Sequence, residues 1–230
     1  MHAQLWPAFV DAFRFWQPAA GADQPTFDAI VTAIQATPAG NPTITPHCPP
    51  VVTDWLGHRP RVPAARALQR LVTAVQATAA QLPWSTMPVS YAGPELAGAY
   101  AFVELVGPRP AEGPGPVWSS EQVLAGLTIQ GPNIFYASHW HPAIEFYGVL
   151  SGEGEWQVDD GGWVRRPAGS LIYHATNQPH AMRTLTEPML TLFAWYGDLE
   201  TNPLVGEKKA TDWHRFLLGS SSSESVANPC

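Results

Sequence analysis

The chain has 230 residues, which suits one domain or one core with an appendage. Apolar residues make up 45% and charged residues only 13%, about half the usual share of roughly 25%, which argues against whole-chain disorder and a long coiled coil. Lys and Arg number 12 against 19 Asp and Glu, a net charge of −7 with no basic cluster, so a nucleic-acid partner is not expected.

The opening residues, MHAQLWPAFVDAFRFWQP, have no basic start, and Asp11 and Arg14 interrupt their apolar run. They do not read as a signal peptide. No run of 18 apolar residues occurs, so no membrane span is expected and the reading is cytoplasmic. The two cysteines, Cys48 and Cys230, do not make a disulfide framework.

Residues 1–83 read as helical. Leu5, Phe9, Phe13 and Trp16 recur on one helical face. A second helix is expected over 26–35, with Phe27, Ile30, Val31 and Ile34 on its stripe. A loop follows, carrying Pro38, Pro42, Pro46, Pro49 and Pro50. The clearest amphipathic helix spans 64–82, through Leu68, Leu71, Val72, Val75 and Leu82. This region carries no cluster of titratable groups and is expected to pack on the rest of the chain or to form a homodimer interface.

From Trp84 onward the texture changes. Short runs rich in β-branched and aromatic residues, at 100–106, 123–129, 145–150, 155–158, 170–173 and 189–195, alternate with Gly/Pro punctuation. Strands about ten residues apart with turns between them predict a mainly β architecture, an antiparallel barrel or jelly roll, over 84–218. The polar tail 219–230 is expected to be disordered.

The segment GPNIFYASHWHPAIEFYGVLSGEGEW carries the chemistry. His139, His141, Glu145 and Tyr147 share one parity, so a single strand tolerating a kink at Pro142 would aim all four at one spot. Two imidazoles and a carboxylate suit one divalent transition metal such as Zn, Fe, Mn, Ni or Co. A fourth ligand could come from RRPAGSLIYHATNQPHAM, where Pro167-Ala-Gly169 is a turn signal and Asn177-Gln-Pro179 a second bend. His174 and His180 are both candidates. His180 is preferred because it sits just beyond a turn, and the other histidine is read as a rim or supporting group.

The pattern His139-x-His141-x3-Glu145-x6-Gly152 resembles the first motif of the cupin superfamily, and Pro167-x-Gly169 followed by a histidine resembles the second. The resemblance covers roughly residues 100–197. It implies a double-stranded β-helix, or jelly-roll barrel, with a metal in its mouth. Tyr136 lies five residues before His141 and Tyr147 two after Glu145, behind a helical N-terminal region. In this the chain is similar to the cupin-type dimethylsulfoniopropionate lyases of marine bacteria. That resemblance implies His139, His141, Glu145 and His180 as ligands and a small sulfonium carboxylate as substrate, split into acrylate and dimethyl sulfide. It implies Tyr136 and Tyr147 as the tyrosines of proton abstraction and of metal or substrate contact; Tyr147, beside Glu145 on the ligand face, is read as the base, and Tyr136, which has the opposite parity, as a substrate-positioning or stand-in group. Aromatic faces bind such cations at roughly 0.5–2 kcal/mol each, and Trp195, Trp156 and Trp163, with His174, are candidates for the pocket wall. The same ligand set would serve an Fe(II)-dependent cupin dioxygenase, and a non-enzymatic ligand-binding cupin sensor is a further alternative.

Overall fold

The structure, a computed structural model, describes residues 4–38, 40, 43–57, 65–110, 115–201 and 203–205. The tail expected over 219–230, the end of the barrel segment beyond 205, Pro42 and Ala64 lie outside them.

The N-terminal region forms α1 (Leu5–Trp16), α2 (Gln24–Ala36), α3 (Pro50–Leu56) and α4 (Arg66–Thr78), and α5 (Val89–Ala99) follows. The stripe of α1 is buried as its spacing predicts, with Leu5, Phe9, Phe13 and Trp16 all inside. Helix α4 ends earlier than expected and tightens into a 3-10 turn over Ala79–Gln81. Two helices escape the sequence reading. Helix α3 starts at Pro50, where proline costs nothing because the first helical N–H has no intrahelical partner. Helix α5 falls in the stretch read as β. Gly93, at φ 74, and Pro94 break it into pieces too short to show a period.

The strands are β1 (Ser85–Thr86), β2 (Tyr100–Gly107), β3 (Trp118–Ser119), β4 (Leu124–Gln130), β5 (Phe135–Trp140) and β6 (Ile144–Ser151). They continue as β7 (Glu153–Val158), β8 (Val164–Pro167), β9 (Leu171–His174), β10 (His180–Thr184), β11 (Met189–Tyr196) and β12 (Leu204–Val205). One sheet has the order β1-β2-β4-β11-β6-β9, with β3 beside β2, and the other the order β12-β5-β10-β7-β8. Every pairing is antiparallel except that of β2 with β3. From β4 to β11 the chain passes repeatedly from one sheet to the other, the winding of a double-stranded β-helix. This is the expected cupin barrel.

Helices α1 to α4 cover the outer face of the first sheet, while Leu96 of α5 joins the inner core. Phe146 faces outward and meets Phe27 of α2 edge-on at 4.9 Å between ring centroids. Gly148 leaves room for the Trp16 ring, whose indole N–H donates to the Gly169 carbonyl at 2.9 Å. With helices outside and the barrel interior inside, all seven residues of β4 are buried, polar Thr128 and Gln130 included, so it shows no alternation of buried and exposed positions. The inner faces hold a second core built around Tyr100, Tyr136, Tyr147, Val149, Trp156 and Phe193. Among the described residues, no helix is long and apolar enough to cross a membrane.

Candidate metal centre and active site

The four residues expected on one strand lie on two sheets. His139 is on β5, His141 in the corner after it, and Glu145 and Tyr147 on β6 of the opposite sheet. Pro142 sits in that corner, where it removes no ladder hydrogen bond. The groups still converge, because the two sheets face each other across the barrel. The Asn177 N–H ties the corner down by donating to the His141 carbonyl at 2.8 Å. Cross-strand neighbours supply the rest, since His180 pairs with His139, His174 with Glu145, and Trp195 with Glu145.

Tyr136 reaches the same site through a β-bulge. His180 pairs with His139 and Met182 with Tyr136, so two residues of β5, Ala137 and Ser138, oppose Ala181 alone. The extra residue reverses the parity, and both Tyr136 and His139 point inward and are buried. Their rings stack at 4.1 Å and 8°.

Glu145 is the hub. Its Oε1 accepts the Trp195 indole N–H at 2.7 Å, and its Oε2 lies 3.3 Å from His141 Nε2, 3.2 Å from His180 Nε2 and 3.1 Å from His174 Nδ1. Burial opposes ionisation of Glu145, but His141, His174 and His180 outweigh it and hold the carboxyl well below the usual range. Burial, then the neighbouring His180, pushes His139 well below the usual imidazole range and His174 down to about 4.

The backbone determines which ring nitrogens carry protons. His139 Nδ1 is 2.9 Å from the Ala137 carbonyl, His141 Nδ1 2.9 Å from that of Ala143, and His180 Nδ1 2.8 Å from that of Gln178. A carbonyl can only accept, so each Nδ1 donates and each neutral ring is left with a lone pair on Nε2. Protonated rings donate to the carboxylate oxygen there, whereas in neutral rings two of those lone pairs face it at little more than 3 Å, acceptor against acceptor, and His180 Nε2 is buried without a hydrogen-bond partner. One shared cation relieves all of these contacts at once. His141, Glu145 and His180 form a buried group with ligand atoms within 4.8 Å of one another, and a metal ion fits it. Imidazoles locked by backbone carbonyls are the usual support of such ligands. His139 packs edge-on against His180 at 4.2 Å. His174 stacks on His180 at 3.8 Å and donates its Nδ1–H to Glu145, which makes it a brace for the carboxylate.

A cavity of about 700 Å³, open mouth included, adjoins this cluster. Tyr136, His139, Glu145, Tyr147 and Trp195 line it, together with Tyr100, Phe102, Glu104, Thr128 and Phe193. Trp195 lines the cavity, and it also stacks on His141 at 4.2 Å. Three other wall candidates stand elsewhere. Trp156 is buried behind Tyr147, with ring centroids 6.1 Å apart. Trp163 lies beside Phe135, an exposed residue, and beneath the Arg183 guanidinium at 4.4 Å. His174 is sealed behind His180 and Glu145, with no exposed surface. Trp156 fails as a wall because alternation aims it into the core, and Trp163 because it precedes an exposed strand. Glu104 and Tyr100 were missed. The available signal was an acid and a phenol inside the apolar run YAFVELV, where a buried polar group needs a reason.

The family model described as dimethylsulfoniopropionate lyase matches residues 26–191. The chain belongs to the dimethylsulfoniopropionate lyase family. Dimethylsulfoniopropionate lyase DddQ of Ruegeria pomeroyi is 34% identical over 93 residues, 40% of this chain. That alignment covers 46% of the relative, so the chain spans about half the length of the curated relative it matches. The crystal structure of DddQ from Ruegeria pomeroyi DSS-3 superposes with a TM-score of 0.67 at 25% identity, covering 86% of this chain and 96% of that one. A structure described as DMSP lyases RdDddP and RnDddQII gives 0.66 at 26%, covering 90% and 100%.

Proposed function

We propose that this member of the lyase family is a metal-dependent carbon–sulfur lyase that splits dimethylsulfoniopropionate into acrylate and dimethyl sulfide. The observation that carries the reading is the meeting of His141 Nε2 and His180 Nε2 at one oxygen of Glu145, on the wall of a cavity that also presents the phenols of Tyr100, Tyr136 and Tyr147. His139, His141, Glu145 and His180 would hold the metal, and the donor set is compatible with Zn, Fe, Mn, Ni or Co. When bound, the cation supplies Lewis-acid stabilisation of negative charge on the substrate carboxylate and favours the phenolate of a nearby tyrosine.

Tyr147 is the base. It takes the proton from the carbon next to the carboxylate, the carbon–sulfur bond breaks, its electron pair leaves on sulfur as neutral dimethyl sulfide, and acrylate remains. Burial first, then the Glu145 charge, pushes the Tyr147 hydroxyl well above its ordinary range. The metal-free protein therefore holds this phenol protonated. Tyr136, stacked on His139, positions the substrate at the ligand cluster. Phe193 and Trp195 offer aromatic faces to the sulfonium.

The test is incubation of metal-loaded protein with dimethylsulfoniopropionate, reading headspace sulfide and acrylate together. Equal amounts of both, formed also without oxygen, are expected. Tyr147→Phe should retain its metal and lose about 10²–10⁴-fold in rate. Products that require oxygen would point instead to a dioxygenase, and full activity in Tyr147→Phe would remove that residue from the base role.

A further inference from the structure

Glu104 is a cavity-wall carboxylate to which the elimination gives no task. It stands on β2, and the sheet register continues from it through Gly126 of β4 and Phe193 of β11 to Tyr147 of β6. All the side chains of that row face inward and line the cavity. Neighbouring strands lie about 4.8 Å apart, so Glu104 is three strand spacings from the phenol along one wall. Gly126 contributes no side chain between them, and a Cβ there would come within 2.9 Å of the Phe193 ring.

The Glu104 side chain has neither a hydrogen bond nor an ion pair among the described residues. Burial alone pushes it up to about 7. Glu104 is half-buried, so water reaches it from the cavity, and an acid in an apolar wall without a protein partner favours a cation beside it. The described cavity wall contains three acids, Glu104, Glu145 and Glu200, and no Lys or Arg. A cation brought by the occupant would supply the partner that this wall lacks. A permanent onium group has no N–H or O–H to donate, so it can be recognised only by charge and by aromatic faces. Glu104 lies beside Phe102 and Phe193 in the same wall.

Resting on the lyase reading above, we propose that Glu104 is a specificity-determining residue that reads the permanent positive charge of the onium substrate from the same cavity wall that carries Tyr147. It separates onium carboxylates from uncharged carboxylates of the same shape.

The test uses a charge pair of equal shape, 3-(trimethylammonio)propanoate and 4,4-dimethylpentanoate, titrated calorimetrically into the metal-loaded full chain. The wild type should bind the onium compound about ten-fold more tightly than the uncharged one, which corresponds to about 1.4 kcal/mol. In Glu104→Gln that ratio should fall several-fold, to what the aromatic faces alone contribute, with binding of the uncharged compound unchanged, and Glu104→Asp should keep part of the preference. If Glu104→Gln does not fold, Glu104→Leu answers through the same ratio. A ratio that survives loss of the carboxylate, or a wild type without preference, overturns the inference. Dimethylsulfoniopropionate turnover is measured in parallel. A charge preference lost in Glu104→Gln without turnover by the wild type would defeat the lyase reading alone. Turnover with a ratio indifferent to Glu104 would defeat this inference alone.

Discussion

Trp195 is joined to the His141–Glu145–His180 cluster in two ways, and one substitution separates them. Its indole N–H donates to Glu145 Oε1 at 2.7 Å, while its ring stacks on His141 at 4.2 Å and 30°. Trp195→Phe keeps an aromatic face and deletes the donor. A hydrogen bond to a charged group contributes about 1.5–3 kcal/mol. Without it, Glu145 keeps Oε2 in the cluster but loses the anchor that fixes the rotation of its carboxylate. At a factor of ten per 1.4 kcal/mol, the metal affinity should fall about 10–100-fold, the range typical of outer partners of metal ligands. Competition against a chromophoric chelator for Zn²⁺ measures this directly, with the thermal midpoint of the metal-free protein as a control for folding. An affinity within two-fold of wild type, in a variant that melts normally, would refute the idea that the indole orients the carboxylate.

His180→Ala should lose more than about 100-fold in metal affinity, while His174→Ala, which removes a brace, should lose about 10-fold at most; metal content after gel filtration distinguishes them, and equal losses would make His174 a ligand. The metal-free protein should weaken in acid, because His174 titrates near 4 when folded, through burial and the neighbouring His180, against about 6.5 when unfolded. The unfolded chain binds the extra proton, so this stability is complete above about pH 6.5 and declines toward pH 4, by roughly 3 kcal/mol for this group. Glu145 adds a further loss as the pH drops below about 4.3. A urea midpoint that stays flat between pH 6.5 and 4.5 would contradict this. Gly148→Val should cost about 1–3 kcal/mol, since even a Cβ there meets the Trp16 ring at 2.5 Å, whereas Gly162→Ala, with open space around it, should melt like wild type.

The amino-acid sequence by itself determined the elements whose signals are local. The stripe of α1 and the strands β2, β4, β6 and β11 are written in periodicity and in β-branched and aromatic content. The cluster of His139, His141, Glu145 and His180 is written in spacing, because a corner followed by a strand start returns to the same barrel mouth. Parity along one strand did not survive. The chain changes sheets at Pro142, and one extra residue at 137–138 turns Tyr136 inward beside His139.

Only the tertiary structure decided which group braces which. Trp195 and Glu145 are 50 residues apart and meet through the register of β11 on β6. The distinction between His174 and His180 rests on Nδ1, which points to a carboxylate in one and to a carbonyl in the other. Trp156 and Trp163 carried the same aromatic signal as Trp195, yet one faces the core and the other the outer surface. A residue type states what chemistry is available, whereas strand register and sheet facing, which are long-range properties, decide what that chemistry touches.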